Sequence, residues 1–307
     1  MRLNRRVALS LAAGTLAASA TPVRADPDRP LVVASKSDTE GTLIGSMIVL
    51  VLEAMGLTVT SRLGLGPTLI VRAALLAGEV DLYPEYTGNA AFFSGTESEP
   101  AWKERREAYE KARRLDAERG LVWLDPAPAD NSWAIAVRGA LARAEGLASM
   151  ADFAGAVRRD AILLAASTEF VESPAALPAF ETAYGFSLPA RRIVSLPGGD
   201  TAVTARAAAQ GISGVNAGMV YGTDGALDAL DLVVMADPKR AQIVYEPCPV
   251  IRADRLDRHP GIRPRLATVF ATLDAQTLRG LNRAVAVEGE RAATVARRHL
   301  VGRGLLG

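Results

Sequence analysis

Four aromatic residues stand where the chain is poised to turn rather than inside helical stripes. Tyr86 closes the run Tyr83-Pro-Glu-Tyr86, Trp133 opens an apolar strand, Tyr221 ends one just before Gly222-Thr-Asp-Gly225, and Tyr245 precedes Glu246-Pro247. Aromatics are only 5% of the chain, so this placement is informative. In layered α/β proteins, ligands bind beyond the carboxyl ends of strands. Tyr and Trp faces are electron-rich. Several converging rings therefore attract a cation that has no hydrogen to donate, such as a quaternary ammonium. Any one Tyr alone is more often a packed residue with its hydroxyl satisfied. Their joint position at strand ends favours a binding site.

Lys36 is the second informative residue. The chain has four lysines against 31 arginines. Lys103 and Lys111 fall on a charged amphipathic segment, Trp102 to Arg119, that reads as a solvated face. Lys36 instead follows the apolar strand Leu31–Ala34 and precedes Ser37-x-x-Glu40, a capping-box pattern. An ammonium beside helix N–H groups can hold an anion; the competing reading is a solvated loop lysine. Asp38, Glu40, Asp81 and Glu85 lie near these residues. Helix caps and strand-end hydrogen bonds explain them, the alternative being paired acids for hydrolysis. Thr223-Asp224 reads as a helix cap. Gly198-Gly-Asp-Thr201 is a turn or an anion-binding loop.

Composition removes several classes. Of 307 residues, 49% are hydrophobic, enough for a sizeable core, and the formal charge is +1. No basic excess points to nucleic acid. A single Cys, Cys248, forbids an intramolecular disulfide and reads as a small core residue. With only His259 and His299, a multi-histidine metal site and an ordinary Ser-His-Asp triad are not expected, and no cofactor is called for. The N-terminus reads as an address. Arg2, Arg5 and Arg6 precede a small-residue apolar stretch, Val7–Ala20, and Val23-Arg-Ala25 fits a cleavage site. A cleavable signal peptide over 1–25, exported by the general or the twin-arginine route, would place the protein in a periplasm. Loss of Arg2, Arg5, Arg6 and Arg24, with no acid lost, turns the charge from +1 to −3.

The elements that must position the aromatics alternate. Strands are expected at 31–34, 57–63, 80–82, 121–124, 133–137, 161–165, 192–195, 218–221, 232–235 and 249–252. Helices are expected at 37–55, 67–76, 102–119, 175–184, 201–210 and, at the C-terminus, 264–273, 275–287 and 291–300. This order predicts an α/β fold with largely parallel strands. Stretches near 133–138 and 244–252 are suited to carry the chain between two lobes and back.

Five motifs now fall in a familiar order: Val33-Ala-Ser-Lys-Ser-Asp-Thr-Glu40, Asp81-Leu-Tyr-Pro-Glu-Tyr-Thr-Gly88, Ala166-Ser-Thr-Glu-Phe170, Gly198-Gly-Asp-Thr-Ala-Val203 and Tyr221-Gly-Thr-Asp-Gly225. The sequence resembles the periplasmic substrate-binding proteins of osmoprotectant ABC importers, which take glycine betaine, choline, carnitine and related quaternary amines. It is most similar to their low-affinity, osmotically induced glycine betaine branch. The resemblance covers roughly residues 30 to 305. It implies a type II two-lobe binding protein with two crossover strands and a helical C-terminal segment. Lobe 1 would be 30–132 plus 247–307, and lobe 2 would be 133–246. It implies a monomeric, non-catalytic receptor that closes on its solute and docks on a membrane permease with its cytoplasmic ATPase. A periplasmic enzyme built on the same scaffold is the alternative function.

The family's aromatic cage falls on Tyr86, Trp133, Tyr221 and Tyr245, with Trp133 where many members have Tyr. Its carboxylate-holding lysine falls on Lys36, and Asn89 stands where many have Thr. Ser173 is the departure. Many members have Arg there, and a serine supplies neither charge nor a bidentate fork. That change implies weaker affinity for glycine betaine, or a ligand with less negative charge such as choline. Arg191 and Arg192 are the nearby cations that could compensate.

Overall fold

Short apolar runs and the helices between them form two five-stranded sheets in the computed structural model, which describes residues 29–196 and 201–307. The strands are β1 (Leu31–Lys36), β2 (Val59–Gly66), β3 (Leu82–Tyr86), β4 (Leu121–Trp123), β5 (Trp133–Arg138), β6 (Leu164–Ser167), β7 (Ile193–Leu196), β8 (Ala217–Tyr221), β9 (Leu232–Val234) and β10 (Pro247–Arg252). One sheet has the order β2-β1-β3-β10-β4 and the other β7-β6-β8-β5-β9. The chain leaves the first sheet after β4, builds the second, and returns as β10. The expected signal peptide and Gly198–Asp200 of the Gly-rich loop lie outside the described residues.

The expectation of largely parallel strands holds for four of the five strands in each sheet, and β10 and β5 are the reversed ones. β1 runs parallel to β2 and β3, and β6 runs parallel to β7 and β8. β10 is antiparallel to β3 and β4, and β5 is antiparallel to β8 and β9. A β–helix–β crossover within one sheet imposes the parallel direction. β5 and β10 arrive from the other sheet and escape that constraint. Each slots beside the strand that carries cage residues: Trp133 pairs with Tyr221, and Pro247 with Tyr86.

The helices of the first sheet's side are α1 (Thr39–Ala54), α2 (Thr68–Leu76), α3 (Asn89–Ser94) and α4 (Arg105–Ala117). Those of the second are α5 (Gly139–Glu145), α6 (Met150–Arg158), α7 (Thr168–Glu172), α8 (Leu177–Tyr184), α9 (Thr201–Gln210) and α10 (Ala226–Ala229). The C-terminal set is α11 (Ala253–Arg258), α12 (Ile262–Phe270), α13 (Ala275–Ala286) and α14 (Ala292–Gly302). Leu43, Ile44, Met47, Ile48, Val51 and Leu52 of α1 are buried among Leu31, Leu82, Leu266, Phe270, Leu278 and Leu300. α1 is thus clamped between its sheet and the C-terminal helices. Phe153, Phe170, Phe180, Leu164 and Met219 centre the second core.

Two local readings change. The helix expected from Trp102 begins only at Arg105, because Glu104 is extended and Pro100–Lys103 forms a separate 3-10 turn that buries Trp102. The capping box expected at Ser37–Glu40 is absent. Asp38 is the N-cap of α1 and accepts from the Gly41 N–H at 2.7 Å. The helix starts one residue later than the Ser-x-x-Glu spacing requires, and Glu40 is released for another role. Among the described residues no helix is long and apolar enough to cross a membrane.

Candidate functional site

β1 and β3 end side by side, and the residues at and beyond their ends face β5, β8 and the segment leading into β10. A cleft of about 910 Å³ lies there. Six of the seven expected binding residues line it: Lys36, Tyr86, Asn89, Trp133, Tyr221 and Tyr245. Ser173 does not. It caps the C-terminal end of α7, outside the cleft lining. Arg191 and Arg192 do not substitute for it. Both face Asp160, and the Arg192 Nε donates to that carboxylate at 2.6 Å.

Lys36 is not a free cation. Its ammonium is 2.6 Å from Glu85 Oε1, and both side chains are buried. Asn89 Nδ2 and the Tyr86 N–H donate to that same oxygen at 2.6 and 2.8 Å, and Tyr83 Oη–H donates to Oε2 at 2.6 Å. A buried carboxylate is tolerated only when paired and saturated with donors, and Glu85 has both. The Lys36 ammonium also lies 4.5 Å from the centroid of the Tyr86 ring, so that ring already holds a resident cation. Lys36 and Asn89 therefore reach the cleft wall with donors shared by Glu85. Of the four acids weighed for hydrolysis, Asp38 and Glu40 line the cleft, whereas Asp81 and Glu85 lie behind the lining. Asp81 is bound by Arg29 at 2.5 Å and faces Arg255.

The other three rings are more open. Trp133 and Tyr221 lie nearly parallel, 12° apart with centroids 6.5 Å apart, and Phe170 meets Trp133 edge-on at 5.8 Å. The β5–β8 register fixes this pair, because Trp133 sits directly opposite Tyr221. Burial pushes the Tyr221 phenol up to about 12 and raises that of Tyr245, so both rings stay neutral at physiological pH. Tyr245 packs against Gly88. A Cβ on Gly88 would lie 2.7–2.8 Å from three atoms of its ring. Gly88→Ala is expected to shift that ring and to cost about 1–3 kcal/mol of stability by overpacking, measurable as a lower urea midpoint.

Glu40, read from sequence as half of a cap, is buried in the cleft wall. Its Oε1 accepts from Tyr86 Oη–H at 2.9 Å and its Oε2 from Asn282 Nδ2 at 2.7 Å. Burial pushes its carboxyl up to about 7, outweighing the donors around it. Asn282 belongs to α13 and also donates to the Thr223 carbonyl at 2.9 Å. Arg279 of the same helix donates to the Gly222 carbonyl at 2.8 Å. The Tyr221–Gly225 block of the second sheet is thus seated on a helix of the C-terminal set. Gly225 permits this approach, since a Cβ there would lie 2.5 Å from the Asn282 carbonyl carbon. The Thr223 hydroxyl donates to Asn131 Oδ1 at 2.7 Å, and Asp224 accepts from the Tyr221 N–H at 2.8 Å. Asn131, Glu169, Thr223 and Asn282 also line the cleft; Glu169 and Thr223 fall within the sequence motifs, whereas no local sequence signal marks Asn131 or Asn282.

Two α/β lobes around an aromatic-lined cleft, with the chain crossing between them, define a two-lobed solute-binding protein. The chain belongs to the family described as the substrate binding domain of ABC-type glycine betaine transport systems, whose model matches residues 29–301. It is 48% identical over 301 residues to the glycine betaine-binding protein YehZ of Escherichia coli (strain K12), an alignment covering 96% of this chain and 98% of that protein. A glycine-betaine-binding protein of Pseudomonas aeruginosa is 29% identical, covering 87% of this chain and 85% of that protein. The solved structure of apo YehZ from E. coli superposes with a TM-score of 0.79 at 49% identity, covering 90% of this chain and 99% of the other.

Proposed function

We propose that this protein is the periplasmic receptor of an ABC importer and binds glycine betaine or a related quaternary ammonium solute in the cleft. The supporting observation is that Tyr86, Trp133, Tyr221 and Tyr245, from four separate stretches of chain, line one cavity. We take the lobes to be 30–132 with 247–307, and 133–246. Trp133, Tyr221 and Tyr245 receive the methylated nitrogen, and Tyr86, already facing the Lys36 ammonium, is the back wall. Lys36 and Asn89 form the polar end with Glu85. Each desolvated cation–π contact contributes about 0.5–2 kcal/mol. Ser173 has no contact role in this arrangement. The protein acts as a monomer, without catalysis, and its closed form docks on a membrane permease served by a cytoplasmic ATPase.

Calorimetry with glycine betaine, choline, carnitine and proline betaine tests the reading. At least one is expected to bind and to change the intrinsic fluorescence of Trp133. No heat from any of the four overturns the assignment.

A further inference from the structure

The cleft holds an acceptor end that the aromatic reading does not use. Among the described residues Asn282 Oδ1 is buried and has no hydrogen-bond partner. The amide cannot simply be turned over to hide it, because its Nδ2 already serves two acceptors, Glu40 Oε2 and the Thr223 carbonyl. Glu40 and Asn282 both line the cleft. Opposite charge is scarce there: Lys36 is committed to Glu85, and Asp38, Glu169 and Asp224 add further acids to the lining. A buried acceptor without a donor is costly, and a ligand O–H or N–H would relieve it.

We propose that Glu40, together with Asn282, is the specificity-determining polar pole of the cleft. Its ionised form favours quaternary amines that end in a hydrogen-bond donor, and its protonated form favours those that end in a carboxylate. The proposal rests on the cleft being the quaternary-amine site. A cation near Glu40 stabilises its carboxylate, whereas a ligand carboxylate is repelled by it.

The burial that pushes Glu40 up to about 7 lets both forms be populated near neutrality. Tyr86 of β3 donates to Glu40 directly, and most cations on the surrounding elements are committed elsewhere, Arg279 of α13 to the Gly222 carbonyl. On its own segment Asp38 caps α1 and raises the Glu40 pKa further. Lys36 of β1 and Glu85 of β3 pair with each other, and Arg62 of β2 is exposed. On α13, Arg283 turns to Glu288; on α14, His299 meets Thr272 and Arg298 pairs with Glu290. Arg265 of α12 donates to the Leu305 carbonyl. From the second lobe, Glu169 and Asp224 share the lining, and Asp224 accepts from the Tyr221 N–H.

The sign follows from proton linkage. A ligand that binds only the ionised form gains affinity as pH rises through the Glu40 pKa and releases a proton; one that binds only the neutral form does the reverse. Between pH 6 and 8 each change approaches about tenfold for a group titrating near 7. Choline and glycine betaine, titrated calorimetrically at pH 6, 7 and 8 in two buffers of different ionisation enthalpy, are therefore expected to show opposite slopes. Choline should tighten with rising pH and release protons, and glycine betaine should weaken and take them up. Both slopes should vanish in Glu40→Gln, with circular dichroism confirming its fold. If that variant does not fold, the wild-type slopes and proton counts decide. Binding with flat or parallel slopes overturns this inference and leaves the cleft reading intact; absence of binding by both ligands at every pH overturns the two together.

Discussion

Lys36→Met is expected to lower the unfolding free energy by about 3–5 kcal/mol, the usual cost of leaving one partner of a buried ion pair uncompensated. That is a large fraction of the ~5–15 kcal/mol available to a typical domain. The residue left behind is Glu85, fully buried and still accepting from Tyr83, Tyr86 and Asn89 but without the ion-pair partner that Lys36 supplies. Urea denaturation measures the loss. The double variant Lys36→Met, Glu85→Gln should recover a good part of it, because the amide needs no countercharge. If the single variant is as stable as the wild type, the pair is not the anchor of β1 and β3 that its geometry describes. The same experiment bears on binding. A Lys36 whose role is mainly to neutralise Glu85 should leave the double variant able to bind, whereas a Lys36 that holds the ligand directly should not.

The second large effect concerns the open rings. Tyr245→Ala and Trp133→Ala are each expected to weaken glycine betaine binding by about 30-fold, the equivalent of roughly 2 kcal/mol for a desolvated cation–π contact. Trp133→Tyr and Tyr245→Phe keep a π face and should lose no more than a few-fold. Tyr86→Phe separates the back wall from the others. It keeps the ring beside Lys36 but removes the donor to Glu40, so it should cost about 1–2 kcal/mol of stability with a smaller change in affinity. Titration calorimetry reads the affinities. Alanine variants that bind as well as the wild type would remove the rings from the contact surface.

Sequence alone determined the α/β class, because apolar runs of strand length and capped helices are local signals. It also marked the aromatic residues, since strand ends with an adjoining Gly or Pro turn can be read without knowing what lies across from them. It left the direction of β5 and β10 open, because strand polarity is a property of pairing and these strands pair with partners eighty or more residues away. It assigned Glu40 to a cap on spacing alone. Only the packing of β3 and α13 against α1 shows that this carboxyl is buried beside Tyr86 and Asn282 instead. Lys36 could be picked out by its isolation among arginines, but its commitment to Glu85 depends on β1 and β3 lying side by side, 49 residues apart in the chain. Residue types are written locally, whereas the charge each one presents to the cleft depends on which distant partner neutralises it, and only the tertiary fold chooses that partner.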